Sequence, residues 1–279
     1  MSALIMGVVN VTPDSFSDGG RYIDADAAIV HARSLHAQGA AILDIGGEST
    51  RPGAVRVEPA LEQERVLPVI EALSADGIAV SIDTMNASTA VAAVAAGARI
   101  VNDVSGGLAD PDLLAAVAGT EADIVLGHWR GPSAEMYASA QYDDPVREVV
   151  AELARRVEAA AQAGIPPGRI VADPGIGFNK RGEQNWAVLR GLPRLIGLVP
   201  RVLVGTSRKR FLGEALGEPD APVDDLARRD LATAVTSVLA AHAGAWAVRV
   251  HDVAATRDAL RIAQCWEGEG RWTSRTRSS

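Results

Sequence analysis

Short apolar runs of strand length alternate along this chain with longer amphipathic segments of helix length. The first run, LIMGVV at residues 4–9, ends abruptly in a polar segment rich in Asn, Thr, Asp and Gly at residues 10–20. The later runs, such as AILDI and RVLVG, are apolar almost without interruption, which is typical of parallel strands covered on both faces. The pattern predicts eight strand–helix units in series.

The predicted strands lie near residues 4–9, 40–45, 78–82, 99–102, 123–127, 169–172, 201–205 and 246–250. The predicted helices lie near residues 24–38, 58–75, 86–96, 111–118, 144–163, 183–190, 224–243 and 252–266. Four glycines each follow an Ala-rich helical segment and precede a strand, where a left-handed helix end is expected: Gly39, Gly77, Gly97 and Gly164. Asp110 and Pro111 are typical of an N-cap followed by the first helical residue.

Eight such units over about 250 residues predict an α/β fold, a (β/α)₈ TIM barrel. A doubly wound open sheet is the alternative. No linker, charge run or low-complexity break divides the chain, so we expect a single domain over residues 1–266. The polar tail at residues 267–279 is expected to be flexible.

Composition narrows the possible partners and the chemistry. The formal net charge is −8 and the pI is near 5.2, which argues against nucleic acid and against an anionic membrane surface. Cys265 is the only cysteine, so no internal disulfide can form, in keeping with a cytoplasmic location. The first apolar run is too short for a signal peptide or a membrane span. Motifs for a Ser-His-Asp triad, a zinc site, a nucleotide phosphate loop or a dinucleotide fold are absent.

Polar residues follow every predicted strand, and in a barrel these strand ends meet at one face. Asp83, Asn102 and Asp173 follow the third, fourth and sixth strands and offer mainly hydrogen-bond acceptors. Because buried carboxylates need donor partners, this arc suits a flat, nitrogen-rich heterocycle with several N–H groups on one edge.

Cationic residues follow strands on the other side of the predicted barrel. Arg51, Arg249 and His251, together with Asn10, belong to strands 1, 2 and 8, and such a cluster suits a phosphate or pyrophosphate. Lys209 lies between the two groups. Helix capping accounts for some polar strand ends but not readily for Lys209, Arg249 and His251. The residues therefore predict a substrate that is a heterocycle with a phosphorylated arm. They do not indicate which reaction it undergoes.

Several nearby residues have a structural interpretation. Asp44 and Asp103 are expected to face the other side of their strands, away from the site. His128 is either a wall of the pocket or a hydrogen-bonded strand-end histidine. Arg208 and Arg210 fit a solvated basic pair around Lys209.

Seven blocks stand in order at the predicted strand ends: MGVVNVTPDSFSDGG, DIGGESTRPG, SIDT, NDVSGG, DPGIGF, SRKRF and RVHDV. Together they resemble the dihydropteroate synthase family, pterin-binding transferases of folate biosynthesis that are inhibited by sulfonamides. The resemblance implies a (β/α)₈ barrel and a homodimer. It also implies condensation of 6-hydroxymethyl-7,8-dihydropterin pyrophosphate with p-aminobenzoate to give 7,8-dihydropteroate and pyrophosphate, with Mg²⁺ as cofactor.

The resemblance also assigns roles to residues of this chain. The pterin ring is expected to contact Asp83, Asn102, Asp173 and Lys209. The pyrophosphate is expected to contact Asn10, Thr50, Arg51, Arg249, Val250 and His251, with Asn10 also at the metal. The p-aminobenzoate pocket would consist of Phe16, Pro52, Ser207 and Lys209. The loops at residues 11–20 and 46–53 would close over the site, with ordering residues Thr12, Asp14, Asp18 and Arg51. The expected catalytic residues are Asp83, Lys209, Arg51, Arg249 and His251.

The chain departs from the family pattern at two positions. Gly127 precedes His128 where the family usually carries Met, which predicts a roomier pterin pocket, and Gln184 stands where His is common. Two rivals share the barrel: a pterin-dependent methyltransferase domain, and a non-catalytic paralogue that binds pterin or a partner. The ESTRPG block and the retained Phe16 and Arg51 favour the synthase.

Overall fold

Strands and helices alternate throughout the part of the chain that the computed structural model describes, which is residues 3–12, 21–48, 56–131, 140–217 and 221–268. The strands are β1 Leu4–Asn10, β2 Ile42–Gly46, β3 Val80–Asp83, β4 Ile100–Asp103, β5 Asp123–Gly127, β6 Ile170–Asp173, β7 Leu203–Val204 and β8 Ala247–Val250. The helices are α1 Arg21–Gln38, α2 Pro59–Ala75, α3 Ala87–Ala95, α4 Leu113–Ala118, α5 Pro145–Gln162, α6 Gly182–Arg190, α7 Leu192–Ile196, α8 Arg210–Leu216, α9 Leu226–His242 and α10 Val253–Trp266. A 3₁₀ turn, Pro167–Arg169, precedes β6.

The eight strands form one parallel sheet in the order β6-β5-β4-β3-β2-β1-β8-β7. Its two edges meet at a parallel bridge between Ala172 and Val202, where the Ala172 amide donates to the carbonyl of Arg201 at 3.1 Å. The sheet is therefore closed on itself. The predicted (β/α)₈ barrel is confirmed, and the open sheet is excluded.

The interior of the barrel is layered because side chains alternate between the two faces of a strand. An apolar layer fills the lower interior and is formed by Met6, Ile42, Ile100, Val125, Val171, Leu203 and Ala247. Residues two positions further along each strand point the same way and come closer to the carboxyl ends. A second, larger apolar cluster lies between the sheet and the helices and includes Leu43, Ile45 and Ile82.

The observed helix ends agree in part with those predicted from the sequence. Gly39, Gly77, Gly97 and Gly164 have φ values of +117°, +77°, +111° and +100°, as the predicted left-handed helix ends require. The two short helices α7 and α8 were not predicted, because five and seven residues are too few for a helical period to be recognised.

The predicted start of the fourth helix at Asp110 and Pro111 is wrong. Helix α4 begins at Leu113, and the Asp110 carboxylate instead accepts from the amide of Ala87, at 2.8 Å, and from that of Asp112. Ala87 is the first residue of α3. Asp110 therefore satisfies one free amide at the start of a neighbouring helix and one in the turn before α4.

Candidate active site

A polar layer lies directly above the apolar layer of the barrel. Asp44, Asn102, Asp173 and Arg249 each stand two residues after an interior apolar residue, so their side chains enter the same space. Asp83 is paired in register with Gly46 on one side and with Asn102 on the other. Of the residues predicted from the strand ends, Asp83, Asn102, Asp173 and Arg249 therefore converge at the carboxyl-terminal mouth of the barrel.

Four of these side chains form one hydrogen-bonded cluster. The Arg249 guanidinium donates from Nε to Asp44 Oδ2 at 2.6 Å and from Nη2 to Asp83 Oδ2 at 2.7 Å. Asn102 Nδ2 donates to the same Asp44 oxygen at 2.9 Å. Arg249 therefore holds two acids from different strands, and Asp44 is the acceptor that Arg249 and Asn102 share.

The prediction that Asp44 faces away from the site is wrong. Asp44 is fully buried inside the barrel, and its Oδ1 has no hydrogen-bond partner among the described residues. Asp103 does face the other side, as expected. Its carboxylate accepts from the amide and hydroxyl of Ser105 and from the amide of Gly107, so Asp103 stabilises the turn after β4.

Burial and charge shift the ionisation of this cluster in opposite directions. Burial raises the pKa of Asp83 and the nearby Asp44 carboxylate raises it further, whereas Arg249 opposes both effects. Burial lowers the pKa of Arg249, but Asp44 and Asp83 raise it by more, so that the guanidinium stays charged. The arginine is what allows two acids to share this small volume.

Lys209 and Asp173 define the other side of the mouth. Lys209 Nζ donates to the carbonyl of Ile176 and lies 4.7 Å from the ring centroid of Phe178, a cation–π distance. Burial lowers the pKa of Lys209 to about 8, although Asp173 favours its charged form. Burial raises the pKa of Asp173, an effect that Lys209 partly offsets.

Ser207 and His251 connect the ends of β7 and β8. The Ser207 hydroxyl lies 2.9 Å from His251 Nδ1 and accepts from the His251 amide at 3.1 Å. Helix α10 begins at Val253 directly after this segment, and a helix N-terminus favours anions. Val250, the last residue of β8, is buried. These residues form a polar surface next to Arg249 at the ends of β7 and β8.

Asn10 ends β1 beside Gly46. A side chain at Gly46 would lie 3.6 Å from Asp83 Cβ and 3.8 Å from Asn10 Oδ1, so the glycine leaves space between these two groups. The described residues contain no group of three or more His, Cys, Asp or Glu that could hold a metal ion. Asn10 offers one oxygen donor at this position, and oxygen donors are the ligands that Mg²⁺ prefers.

A family model described as pterin binding enzyme matches residues 6–251. A dihydropteroate synthase from Mycobacterium leprae is 53% identical over 263 residues, which are 94% of this chain and 93% of that protein. The chain belongs to the dihydropteroate synthase family. It is therefore an enzyme of the transferase class, and the family predicted from the sequence is confirmed.

Solved structures of the dihydropteroate synthase family have the same fold as this chain. The enzyme from Xanthomonas albilineans with 4-aminobenzoic acid matches with a TM-score of 0.87 and 45% identity, over 95% of this chain and 93% of that chain. The same enzyme with 7,8-dihydropteroate matches with a TM-score of 0.84 and 42% identity, over 95% and 94% of the two chains.

Several positions that the dihydropteroate synthase resemblance singled out lie outside the described residues: Asp14, Phe16, Asp18, Thr50, Arg51 and Pro52. Thr12 is described and lies partly buried just beyond β1. Some contacts that hold the ends of the predicted loop at residues 46–53 are described. Arg65 donates to the carbonyl of Gly47 at 2.8 Å, and Arg56 donates to Asn86 Oδ1 at 2.7 Å.

Gly127 does not enlarge the pocket in the way that the sequence predicted. A side chain at this position would come within 2.4 Å of the carbonyl oxygen of Val104, so backbone already fills the space. Arg208 is also not simply solvated, because it binds both oxygens of Asp230. Arg210 is exposed, as predicted, and pairs with Glu214 on the same helix.

The structure settles the position of His128 and adds residues that sequence reasoning missed. His128 is buried, with Nε2 at 2.9 Å from Glu152 Oε2 and Nδ1 at 2.9 Å from Lys180 Nζ. Arg130 also binds Glu152, through Nε at 3.0 Å. One feature of the sequence could have drawn attention to Lys180: the chain has only two lysines, and the other is the predicted site residue Lys209.

Proposed function

We propose that the mouth of the barrel binds 6-hydroxymethyl-7,8-dihydropterin pyrophosphate and p-aminobenzoate and joins them into 7,8-dihydropteroate. The observation that carries this proposal is the division of one site into an acceptor arc, with Asp83, Asn102 and Asp173, and a cationic arc around Arg249. The relatives with 4-aminobenzoic acid and 7,8-dihydropteroate support the choice of ligands.

The acceptor arc suits the pterin ring. Asp173 would accept from the 2-amino group and N3, because a carboxylate binds two adjacent N–H donors well. Asn102 would face the neighbouring ring nitrogen, and Asp83 the N8 side. Lys209 would donate to the ring carbonyl, on the same side of the mouth as Asp173.

The pyrophosphate would draw Arg249 away from its resting partners. Arg249 is held by Asp44 and Asp83 in the structure, and a pyrophosphate offers a stronger, more highly charged set of acceptors. His251 and the backbone at Val250 would bind the same group. Once Arg249 turns toward the anion, the two carboxylates face the ring without their counter-ion.

The chemical step follows from this charge distribution. The bond between the exocyclic methylene and the pyrophosphate oxygen breaks, and its electrons leave with pyrophosphate. The resulting positive charge spreads into the pterin ring, where Asp83 and Asp173 stabilise it. The amine nitrogen of p-aminobenzoate then forms the new carbon–nitrogen bond and loses a proton to solvent. An aromatic amine is neutral at pH 7, so no strong general base is needed.

The proposal includes Mg²⁺, with Asn10 as the protein ligand. When bound, Mg²⁺ would neutralise charge on the departing pyrophosphate. Arg249 and His251 would hold the rest of that anion. The single cysteine, a free thiol, supports a reducing cytoplasm as the location. Within the described ranges, no helix combines the length and apolar character needed to cross a membrane.

Product formation from the two substrates tests the proposed function directly. The protein is incubated with pterin pyrophosphate, p-aminobenzoate and Mg²⁺, and dihydropteroate and pyrophosphate are quantified together. Equal amounts of both products are expected. Binding of the pterin without turnover would identify a non-catalytic paralogue or a methyltransferase-type domain instead.

The pH dependence should report the charge of Lys209. Only the ammonium form carries the charge that favours ionised Asp173 and makes Lys209 a strong donor to the substrate, and the pKa of Lys209 is lowered to about 8. We expect kcat/KM for pterin pyrophosphate to fall as the pH rises through that value. Asp83 and Arg249 face the same amine, so the assignment needs a control. Lys209→Arg keeps its charge, and an unchanged alkaline fall in that variant would contradict the assignment.

The proposed homodimer has a candidate surface on the outer helices. Leu231, Val235 and Leu239 recur at every fourth residue of α9 and are 65%, 52% and 60% exposed. Ile262 and Trp266 on the neighbouring helix α10 are also exposed. An apolar stripe across two packed helices is typical of an interface between copies of one chain.

Light scattering after size exclusion tests this dimer. The wild-type protein should elute as a dimer, and Leu239→Glu should elute as a monomer because it places a charge in the centre of the stripe. Val91→Glu changes an exposed residue of α3 and should leave the dimer intact. A monomeric wild type, or a dimer that survives Leu239→Glu unaltered, would remove this surface from the proposal.

A further inference from the structure

The only two lysines of the chain bind the same short loop, although the chain has twenty-five arginines. This loop, residues 174–178, follows Asp173 and is called the Asp173 loop below. Lys209 donates to the carbonyl of Ile176. Lys180 donates to the carbonyl of Gly175 at 3.0 Å and to that of Phe178 at 3.1 Å. The loop is thus held by one ammonium in the site and by a second one that is buried.

Lys180 has a complete set of partners without any substrate. Lys180 is 1% exposed, and it is the largest fully buried side chain among the described residues. Burial lowers the pKa of Lys180 to about 7, although Asp173 favours its charged form. The ammonium form has three N–H donors, and its third acceptor is His128 Nδ1 at 2.9 Å. The mechanism described above does not use this group.

The contact with Lys180 fixes the state of His128. If Nδ1 accepts from Lys180, the ring proton must be on Nε2, which donates to Glu152 at 2.9 Å. Burial and the charge of Lys180 lower the pKa of His128 to about 4, in agreement with a neutral ring. Glu152, His128 and Lys180 therefore form one directional chain of hydrogen bonds that ends at the Asp173 loop.

A single residue connects Lys180 to Asp173. The carbonyl of Gly175 accepts from Lys180, and the amide of Gly175 donates to Asp173 Oδ1 at 2.7 Å. Gly175 has a φ of +61°, and a side chain there would come 2.2 Å from the carbonyl oxygen of His128. The peptide can therefore approach closely enough for both hydrogen bonds only because this residue is glycine.

We propose that Lys180 is a positioning residue for the pterin: it holds Gly175 so that the Gly175 amide sets the orientation of the Asp173 carboxylate. This inference rests on the proposed function, in which Asp173 binds the pterin ring. Lys180 itself does not contact the substrate. A compact ammonium suits the position because its three donors reach acceptors in three directions, which a planar guanidinium cannot do.

Calorimetric binding of pterin pyrophosphate, without p-aminobenzoate, tests this role. Lys180→Met keeps most of the volume and removes the three donors, and we expect it to weaken binding by at least about tenfold. In an Asp173→Ala background the same change should cost less than about twofold, because the carboxylate through which Lys180 acts and its acceptor for Gly175 are both already lost. Arg190→Met, which removes an exposed charge from α6, is the matched control and should bind like the wild type.

Two results would overturn the inference. One is binding by Lys180→Met within about twofold of the wild type. The other is the same loss in both backgrounds, which would mean that Lys180 acts independently of Asp173. Failure of the proposed function is distinguishable, because then the wild-type protein itself would neither bind pterin pyrophosphate nor form dihydropteroate.

A pair of His128 variants keeps the inference testable if Lys180→Met does not fold. His128→Asn can retain an acceptor toward Lys180 and loses the donor to Glu152, whereas His128→Gln can retain the donor and loses the acceptor. Weaker pterin binding by His128→Gln than by His128→Asn is expected. Equal affinities for both variants would contradict a role of the Lys180 contact.

Discussion

Arg249→Ala is expected to lower kcat/KM by at least about a hundredfold and also to destabilise the fold. The catalytic loss follows from removal of the proposed pyrophosphate ligand. The structural loss follows from Asp44, which is fully buried and accepts from Arg249 at 2.6 Å. Removing one partner of a buried ion pair typically costs about 3 kcal/mol. Steady-state kinetics and urea unfolding measure the two effects separately.

A second substitution separates the two roles of Arg249. Asp44→Asn in the Arg249→Ala background removes the more deeply buried of the two acids that lose their partner, so part of the lost free energy of unfolding should return. Turnover should stay low, because the pyrophosphate ligand is still missing. Recovery of activity together with stability would mean that Arg249 serves the fold alone, and would remove it from the proposed mechanism.

Asp173→Asn is expected to weaken the binding of pterin pyrophosphate by at least about a hundredfold. The amide can still accept from Gly175, so the local backbone is kept. It loses the negative charge that suits two adjacent N–H groups, and with it the charge that would stabilise the pterin cation. Isothermal titration calorimetry gives the affinity, and circular dichroism gives the fold.

The control for Asp173→Asn is the same chemical change at an exposed aspartate. Asp112 lies at the start of α4, and its side chain makes no capping hydrogen bond. Asp112→Asn should therefore bind like the wild type. An Asp173→Asn variant that keeps wild-type affinity would mean that the pterin does not bind along the acceptor arc.

The barrel could be predicted because its signals are repeated. Eight apolar runs and the glycines between helix and strand gave the order of the elements, and the polar strand ends then had to meet at one mouth. Asp83, Asn102, Asp173, Lys209 and Arg249 were found in this way. The short helices α7 and α8 were missed because they lie within connections and have almost no period of their own.

The side of the strand on which Asp44 lies could not be read from the chain. Strand β2 is buried on both faces, so it has no alternation of apolar and polar residues to fix its orientation. The partnership between Lys180 and His128 was also hidden, since 52 residues separate the two along the chain. Contacts of this kind depend on packing between strands and loops, which periodicity does not record.

In the resting cluster, each acid lies beside a group of opposite charge before substrate arrives. Arg249 pairs with both Asp44 and Asp83, and Lys209 favours the ionised form of Asp173. Burial and the neighbouring Asp44 raise the pKa of Asp83, and Arg249 opposes that rise. The same pairing that stabilises the barrel at rest therefore favours the ionised form of Asp83, which is the form that would stabilise the pterin cation.

A crystal structure with pterin pyrophosphate bound tests the central claim most directly. The pterin edge should lie within hydrogen-bonding distance of Asp173 and Asn102, and Arg249 should have moved from Asp44 and Asp83 to the pyrophosphate. A ring bound elsewhere, or an Arg249 that keeps both carboxylates while the pyrophosphate lies apart from it, would contradict the division of the mouth into an acceptor arc and a cationic arc.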